Sequence, residues 1–401
     1  MFHSFKKLFL ASSLLLAVSS LISRLLGVYR DHLFAKHFGA SAMLDAYFAA
    51  FRIPDLLYAL LIVSSISVVF LPVFQKYKEK NNMKEAWRFT SRVLNSLVGL
   101  FLILSALVIF FTPQIVDIYV SGFNAEQKEL TVKMMRIMML SPFFFMLASL
   151  MISVQQAFHV FIAQALAPIF YNIGILVGIL FFSSYYGVYG IALGVVLGAC
   201  MQMLLQIPFF FKTGFSWSFS FLKGQELKEM LKILTPRILS VSAVQVALTV
   251  DTILAASLTA GSITLLTLAA NIQSLPFGMI SISIAITTFA HLTQSVAKGD
   301  MKAFKSHLQK NMEKTLFWLM PALAGVALIA KPLVSFLFEH GAFSSGDSEQ
   351  LIRLLYIFLI ALFFQGFIPL LARSFFALQK TWLAFFVSTF ALMVNIIASI
   401  Y

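Results

Sequence analysis

A single cysteine, Cys200, stands among 401 residues, which excludes an intrachain disulfide and any multi-cysteine metal site. Its position inside an apolar helical run marks it as packing. Histidine is equally unhelpful to catalysis. His3, His32, His37, His159, His291, His307 and His340 are scattered along the chain, with no HExxH pattern and no pair at ligand spacing. No Walker A motif is present, so bound ATP has no sequence signal, and no cluster of carboxylates or histidines suggests an enzyme. Charge itself is scarce: 11% of residues are charged against 60% hydrophobic, and the mean hydropathy is +0.92. A soluble globular domain does not have this composition.

What the chain has instead is long apolar stretches. With about 20 apolar residues per span, eleven helices are predicted, near 8–38, 42–75, 90–112, 131–156, 161–183, 187–211, 228–258, 262–295, 312–330, 351–372 and 379–401. The fold class is therefore all-α and polytopic. Residues 1–22 mimic a signal peptide, but the apolar pattern runs on past Leu25, so a retained first helix is expected.

Orientation follows from the basic residues. Loop 75–92 holds Lys76, Lys78, Lys80, Lys84 and Arg88; loops 212–232 and 296–314 are similarly rich in lysine. They alternate with stretches 113–127 and 331–350, where Asp117, Glu126, Glu339, Asp347 and Glu349 collect. Lys6 and Lys7 agree, placing the N-terminus in the cytoplasm. This asymmetry also accounts for the net charge of +13 and the pI near 9.7. The basic residues lie on one side of a membrane, so nucleic acid is not an expected partner.

Landmarks recur about 220 residues apart. Gly39 and Pro54 are fifteen residues apart, as are Gly261 and Pro276, an offset of 222. FLPVFQKY from Phe70 answers FAHLTQSV from Phe289, Ala157 and Phe158 answer Ala377 and Leu378, and Asn172 answers Asn395. Together they indicate an internal duplication into residues 1–220, with helices one to six, and residues 221–401, with helices seven to eleven. Six helices per half is even, so the halves are parallel repeats, an arrangement that places a substrate site between them. The second repeat lacks its last helix, and a twelfth is expected beyond Tyr401, in a longer chain.

Seven charged residues, Arg24, Arg30, Asp31, Lys36, Asp45, Arg52 and Asp55, lie within or beside the first two apolar stretches. A charge at the bilayer centre costs about 2.5 to 3.5 kcal/mol even on a lenient scale, so several imply an interior polar cavity. Arg24 and Asp31 are seven residues apart, two helical turns, so they share a face about 10 Å apart along the axis. Asp45 and Arg52 repeat that spacing, with Asp55 close in phase and Pro54 able to kink the helix. Facing stripes of opposed charge are expected. Arg24, Arg30 and Arg52 read as anion ligands, because the planar guanidinium grips phosphate bidentately and stays charged. The alternative is that they pair only with Asp31, Asp45 and Asp55 to fix helix packing. Lys36 and His37 are expected to snorkel to the interface. In the second half Asp251 is a lone intramembrane acid, suited either to a coupling cation or proton or to a structural hydrogen bond. Gln245, Asn271 and Gln273 are expected to line a cavity or bridge helices.

The segments SRLLGVYRDHLFAKHFGAS, LDAYFAAFRIPDLL and FLPVF resemble the opening of the MurJ (MviN) family of lipid II flippases, in the MOP exporter superfamily. LSPFFF, QQAFHVFIAQALAPIFYNIGI, PRILSVSAVQVALTVDTILA, ANIQSLPFG and LFEHGAF continue the likeness in order. The resemblance implies a V-shaped, two-lobe transporter with a twelve-helix core. It would flip lipid II from the inner to the outer leaflet of the bacterial cytoplasmic membrane by alternating access, for cell wall synthesis. It also implies Arg24, Arg30 and Arg52 as substrate ligands, with Asp31 and Asp45 at motif positions and Asp55 beside them for pairing or gating. Asp251 matches an acidic position that resembles part of a sodium site, and Asn395 joins it as a candidate for cation coupling. No cofactor is implied, the energy source being Na+ or the membrane potential; the expected partners are lipid II and membrane lipids, the expected state a monomer. The chain departs from the family at Tyr58 and Asn271, where many relatives carry arginine, and near Val63, where acidic character is missing; Asn271 is retained as a substrate-binding candidate. The competing readings are a polysaccharide-lipid flippase or cation-coupled drug exporter of the same superfamily, a membrane-embedded transferase, and a structural scaffold.

Overall fold

The computed structural model describes the backbone of residues 2–60 and 70–400, which is helical, with no strand among the described residues. Seven helical segments are long and apolar enough to cross a membrane: Met83–Tyr119, Ala125–Ala157, Ile162–Tyr186, Val188–Phe211, Ser262–Ala297, Met301–Phe338 and Ser345–Ala377. The other expected spans are helical too, as Phe2–Phe38, Ala42–Tyr58, Gly224–Ala256 and Thr381–Ile400. Residues 61–69 of the second span, Val63 among them, lie outside the described residues, and the chain resumes in helix Leu71–Glu79.

Two expected loops turn out to be largely helix. The span predicted at 90–112 runs from Met83 to Tyr119, and that predicted at 312–330 runs from Met301 to Phe338. The starts are set by capping residues rather than by hydropathy. The Asn82 side chain accepts from the Glu85 amide at 3.2 Å and Asp300 accepts from the Ala303 amide at 2.8 Å. Such caps satisfy free amides where water is available, so these helices begin outside the apolar layer and simply continue into it. The span predicted at 131–156 is broken instead, into Ala125–Met138 and Ser141–Ala157, with Pro142 in the first turn of the second piece, where its missing N–H costs least.

The chain forms two compact units, one of residues 1–34 and 42–258, the other of residues 35–41 and 259–401. In the first, Gly174 and Gly178 of the span Ile162–Tyr186 lie against Gly198 and Gly194 of helix Val188–Phe211, so closely that a Cβ on Gly178 would stand 2.6 Å from the Gly194 Cα. Small residues are needed because lipid gives helices no hydrophobic reason to associate; close van der Waals packing must do it. Gln155 and Gln206, both fully buried, add hydrogen bonds to the Gln206 and Ala163 carbonyls at 3.0 and 3.1 Å. The second unit packs Leu268, Leu319, Val334, Leu351, Leu355 and Leu362 into its core.

Backbone features recur at the spacing of the sequence landmarks. Gly39 and Gly261 have φ of +63° and +94°, a left-handed geometry open to glycine, and each leads into a helix containing proline, Pro54 or Pro276. Helices ending at Ala157 and Ala377 are followed by His159 and Gln379, both at φ +59°. Capping boxes start at Asn124 with Gln127 and at Ser344 with Asp347. A Cβ on Gly122 would strike the backbone of Ala256, and one on Gly341 the backbone of Lys36. The repeat divides the sequence at 220/221, whereas by contact helix Gly224–Ala256 groups with the first unit and residues 35–41 with the second.

Candidate functional site

Two guanidinium groups organise the polar interior of the first unit. Arg30 donates from Nε and Nη2 to Asp31 Oδ1 at 3.0 and 2.8 Å. Its Nη1 makes a long 3.4 Å contact with Asn172 Oδ1. The Asn172 amide in turn donates to Ser23 Oγ at 3.1 Å and to the Pro168 carbonyl at 3.0 Å, fastening helix Ile162–Val177 to the first helix. Tyr47 and Tyr171 lie close to the guanidinium, and Phe34 packs under it at 5.9 Å, giving it an aromatic wall. Asp31 is 5% exposed, so it balances Arg30 away from bulk solvent.

Arg52 stands on helix Ala42–Tyr58, two residues before Pro54. It donates from Nε to Thr252 Oγ1 at 3.1 Å, and the Thr252 hydroxyl passes its own hydrogen to the Leu248 carbonyl at 2.8 Å. The buried Tyr119 hydroxyl lies beside both without reaching hydrogen-bond geometry. Asp55 and Asp251 are both within Coulombic reach of Arg52.

The residues singled out by sequence therefore separate. Arg24, Arg30, Asp31, Asp45, Arg52, Asp55 and Asp251 belong to the first unit, Asn271 and Asn395 to the second. Asp31 is held by its neighbour Arg30, and part-buried Arg24 forms no ion pair with a described residue. Asp45 is buried, Lys36 and His37 are exposed, Asn271 is part-buried and Asn395 exposed. Gln273 bridges helices, donating to the Phe358 carbonyl and to Gln365 Oε1, each at 3.1 Å. Tyr58, at a family arginine position, packs on Phe145 at 5.1 Å. Sequence reasoning missed Thr252 as the Arg52 partner and used Asn172 only as a repeat landmark. It also missed that His291 and His307, in successive helices, stack at 5.4 Å. No cluster of three or more metal-ligating side chains occurs among the described residues.

A family model described as lipid II flippase MurJ matches residues 34–401. A probable lipid II flippase MurJ of Buchnera aphidicola subsp. Acyrthosiphon pisum is 31% identical over 389 residues, covering 94% of this chain and 75% of that protein. The chain belongs to the MurJ lipid II flippase family. Further MurJ relatives agree: the lipid II flippase MurJ of Thermosipho africanus is 30% identical over 391 residues, 98% of this chain and 79% of its own length. Among solved structures, a lipid II flippase MurJ in an inward closed conformation aligns with a TM-score of 0.84 at 29% identity, over 96% of this chain and 81% of that one. An inward-facing multidrug resistance MATE family transporter of the MOP superfamily aligns at 0.77 with 16% identity, over 94% and 88%, which establishes a shared fold.

Proposed function

We infer that this protein translocates lipid II across the bacterial cytoplasmic membrane and that the Arg30 and Arg52 nodes receive its diphosphate. The activity is that of the MurJ family, whose members match at 30–31% identity over nearly the whole chain. A flippase moves its substrate between leaflets, and transport rather than catalysis is the family's work. A drug exporter is not favoured, because the MATE likeness is one of fold.

The observation that supports the site is the manner in which the arginines are held. Arg52 is anchored through Nε, the inner nitrogen, which leaves its terminal Nη1 and Nη2 fork for a ligand. Arg30 is anchored to Asp31 through Nε and Nη2, and its Nη1 has only the long contact to Asn172. Charge-assisted, paired N–H donors are what a diphosphate needs on leaving water. The head group pairs with Arg24, Arg30 and Arg52, and the polyprenyl tail stays in lipid during alternating access; Asn271, in the second unit, is a separate candidate ligand. Asp31, Asp45 and Asp55 balance the arginines when the carrier is empty.

Return of the empty carrier draws on the membrane potential or on Na+ held near Asp251; Asn395, in the second unit, is a separate candidate for cation coupling. The N-terminus faces the cytoplasm, on the strength of Lys6, Lys7 and the basic segments, and the protein works as a monomer. The test is a leaflet-specific accessibility assay for lipid II in cells that depend on this protein. Arg24→Ala and Arg52→Ala variants, shown to be folded and inserted, should leave lipid II on the inner face. Normal translocation by both would remove the arginine site while leaving the family activity intact.

A further inference from the structure

An open cavity of about 350 Å³ lies between helices Met83–Tyr119 and Ala125–Met138, lined among others by Pro113, Asp117, Lys128, Glu129, Lys133 and Arg136. Its depth in the membrane can be read from sequence. Residues 93–116 carry no charge before Asp117, and residues 137–157 carry none after Arg136, so the cavity sits where two apolar spans meet the same polar boundary. Phe110, Ile118 and Leu140, 72%, 78% and 53% exposed, put an apolar surface around it.

The charges inside are unequal. Asp117 is paired with Lys128 at 3.1 Å and Glu129 with Lys133 at 2.6 Å, while Arg136 forms no ion pair among the described residues. Arg136 Nε instead donates to the Ile109 carbonyl at 3.3 Å. That carbonyl is four residues before Pro113, which has no N–H to give it. The arginine therefore closes a hydrogen-bond gap made by the proline, together with Thr112 Oγ1, which also reaches Ile109 at 3.1 Å.

The second half reveals which part of this arrangement is surplus. Pro332 stands 219 residues after Pro113, and Tyr356 stands 220 after Arg136. The Tyr356 hydroxyl donates to the Ala327 carbonyl at 3.3 Å, beside that second kink. Glu349 and Arg353 likewise repeat the pair Glu129 and Lys133. A neutral tyrosine thus stands at this repeat position, and it bonds the carbonyl next to Leu328, the one that Pro332 leaves without its N–H. The positive charge and terminal N–H donors of Arg136 serve something else.

We propose that this cavity is a binding site for the phosphate of an anionic membrane phospholipid, with Arg136 as its principal ligand and Lys128 and Lys133 on the rim. The bound lipid lays its acyl chains along Phe110 and Leu140. The topology proposed above places the site in the outer leaflet; binding itself does not depend on that topology. A guanidinium at a membrane boundary contributes about fivefold to the affinity for an anionic headgroup.

The test is lipid binding by the purified full chain in neutral detergent, followed by native mass spectrometry and thermal shift. Phosphatidylglycerol should bind more tightly than phosphatidylcholine, and inorganic phosphate should give no shift. Arg136→Tyr places here the residue that stands at the matching position of the other half, and Thr112 still serves the Ile109 carbonyl, so the variant should fold normally yet bind phosphatidylglycerol about fivefold more weakly; Arg136→Lys should stay within about twofold. Equal binding of the two lipids by the unaltered protein, or unchanged phosphatidylglycerol affinity in Arg136→Tyr, would overturn the site. An equal shift with inorganic phosphate would overturn its assignment to lipid.

Discussion

Removing Arg30 tests two roles at once, and a compensating change separates them. In Arg30→Ala the Asp31 carboxylate, with 7% of its side chain exposed, loses the guanidinium that donates to it twice. Stranding a buried charge costs about 3 to 5 kcal/mol. The Arg30 side chain is 22% exposed, so water or headgroups screen part of that, and about 2 to 3 kcal/mol is the reasonable expectation. In Arg30→Ala/Asp31→Asn that charge is removed as well, and all but about 1 kcal/mol should return, a rescue of about 1 to 2 kcal/mol over the single variant. Unfolding by titration with a denaturing detergent measures the stability side, and lipid II accessibility in cells measures the transport side.

The expected pattern is asymmetric. The single variant loses stability and transport, and the double variant regains stability without regaining transport. If the double variant transported normally, Arg30 would be only the partner of Asp31 and its ligand role would be lost. If the single variant were as stable as the unaltered protein, the ion pair would not be holding the helix.

Three further outcomes follow from the same geometry. Thr252→Val keeps shape but removes the acceptor for Arg52 Nε, so transport should fall while folding changes by no more than about 1 to 2 kcal/mol; an unchanged transport rate would show that Arg52 needs no anchor. Gly174→Val drives two methyl groups into the backbone of Gly198 and should prevent assembly of the first unit, seen as loss of monodisperse protein on size exclusion, whereas normal yield would refute the close packing. Asp251→Asn should abolish any dependence of transport on sodium concentration, and a retained dependence would move the coupling ion elsewhere.

Much of the fold was legible because the bilayer imposes its length on sequence. The eleven apolar runs correspond to helices where their residues are described, and apart from the break after Met138 the differences fell at their ends, where Asn82 and Asp300 cap helices and no hydropathy threshold marks the start. The arginines were legible for the opposite reason, as costly exceptions in apolar surroundings. Their partners were not. Asn172 lies 142 residues from Arg30 and Thr252 lies 200 from Arg52, and a neutral amide or hydroxyl in a helix gives no signal of what it will meet. Helical phase fixed the face on which Arg24 and Asp31 lie, but it gave no sign that Asp31 would be held by Arg30, its neighbour in the chain.

The two acids Asp31 and Asp251, 220 residues apart, take on two environments. Each stands five residues before a backbone that a glycine approaches closely, Lys36 beside Gly341 and Ala256 beside Gly122, and each is followed by a matching DHLFA or DTILA segment. In the first half the preceding residue is Arg30, which occupies the carboxylate and goes with its burial. In the second it is Val250, and Asp251 is exposed, with Arg52 of another helix within Coulombic reach. An exposed acid without an arginine beside it on its own helix is open to a charge from a neighbouring helix or to a cation. Arg52 is the residue proposed to turn toward the diphosphate. On the proposed function, a substrate that claimed that guanidinium would change the charge balance at Asp251 and favour a cation there. Coupling between substrate and ion would then require no long path, because the proposed phosphate ligand Arg52 is itself within Coulombic reach of Asp251.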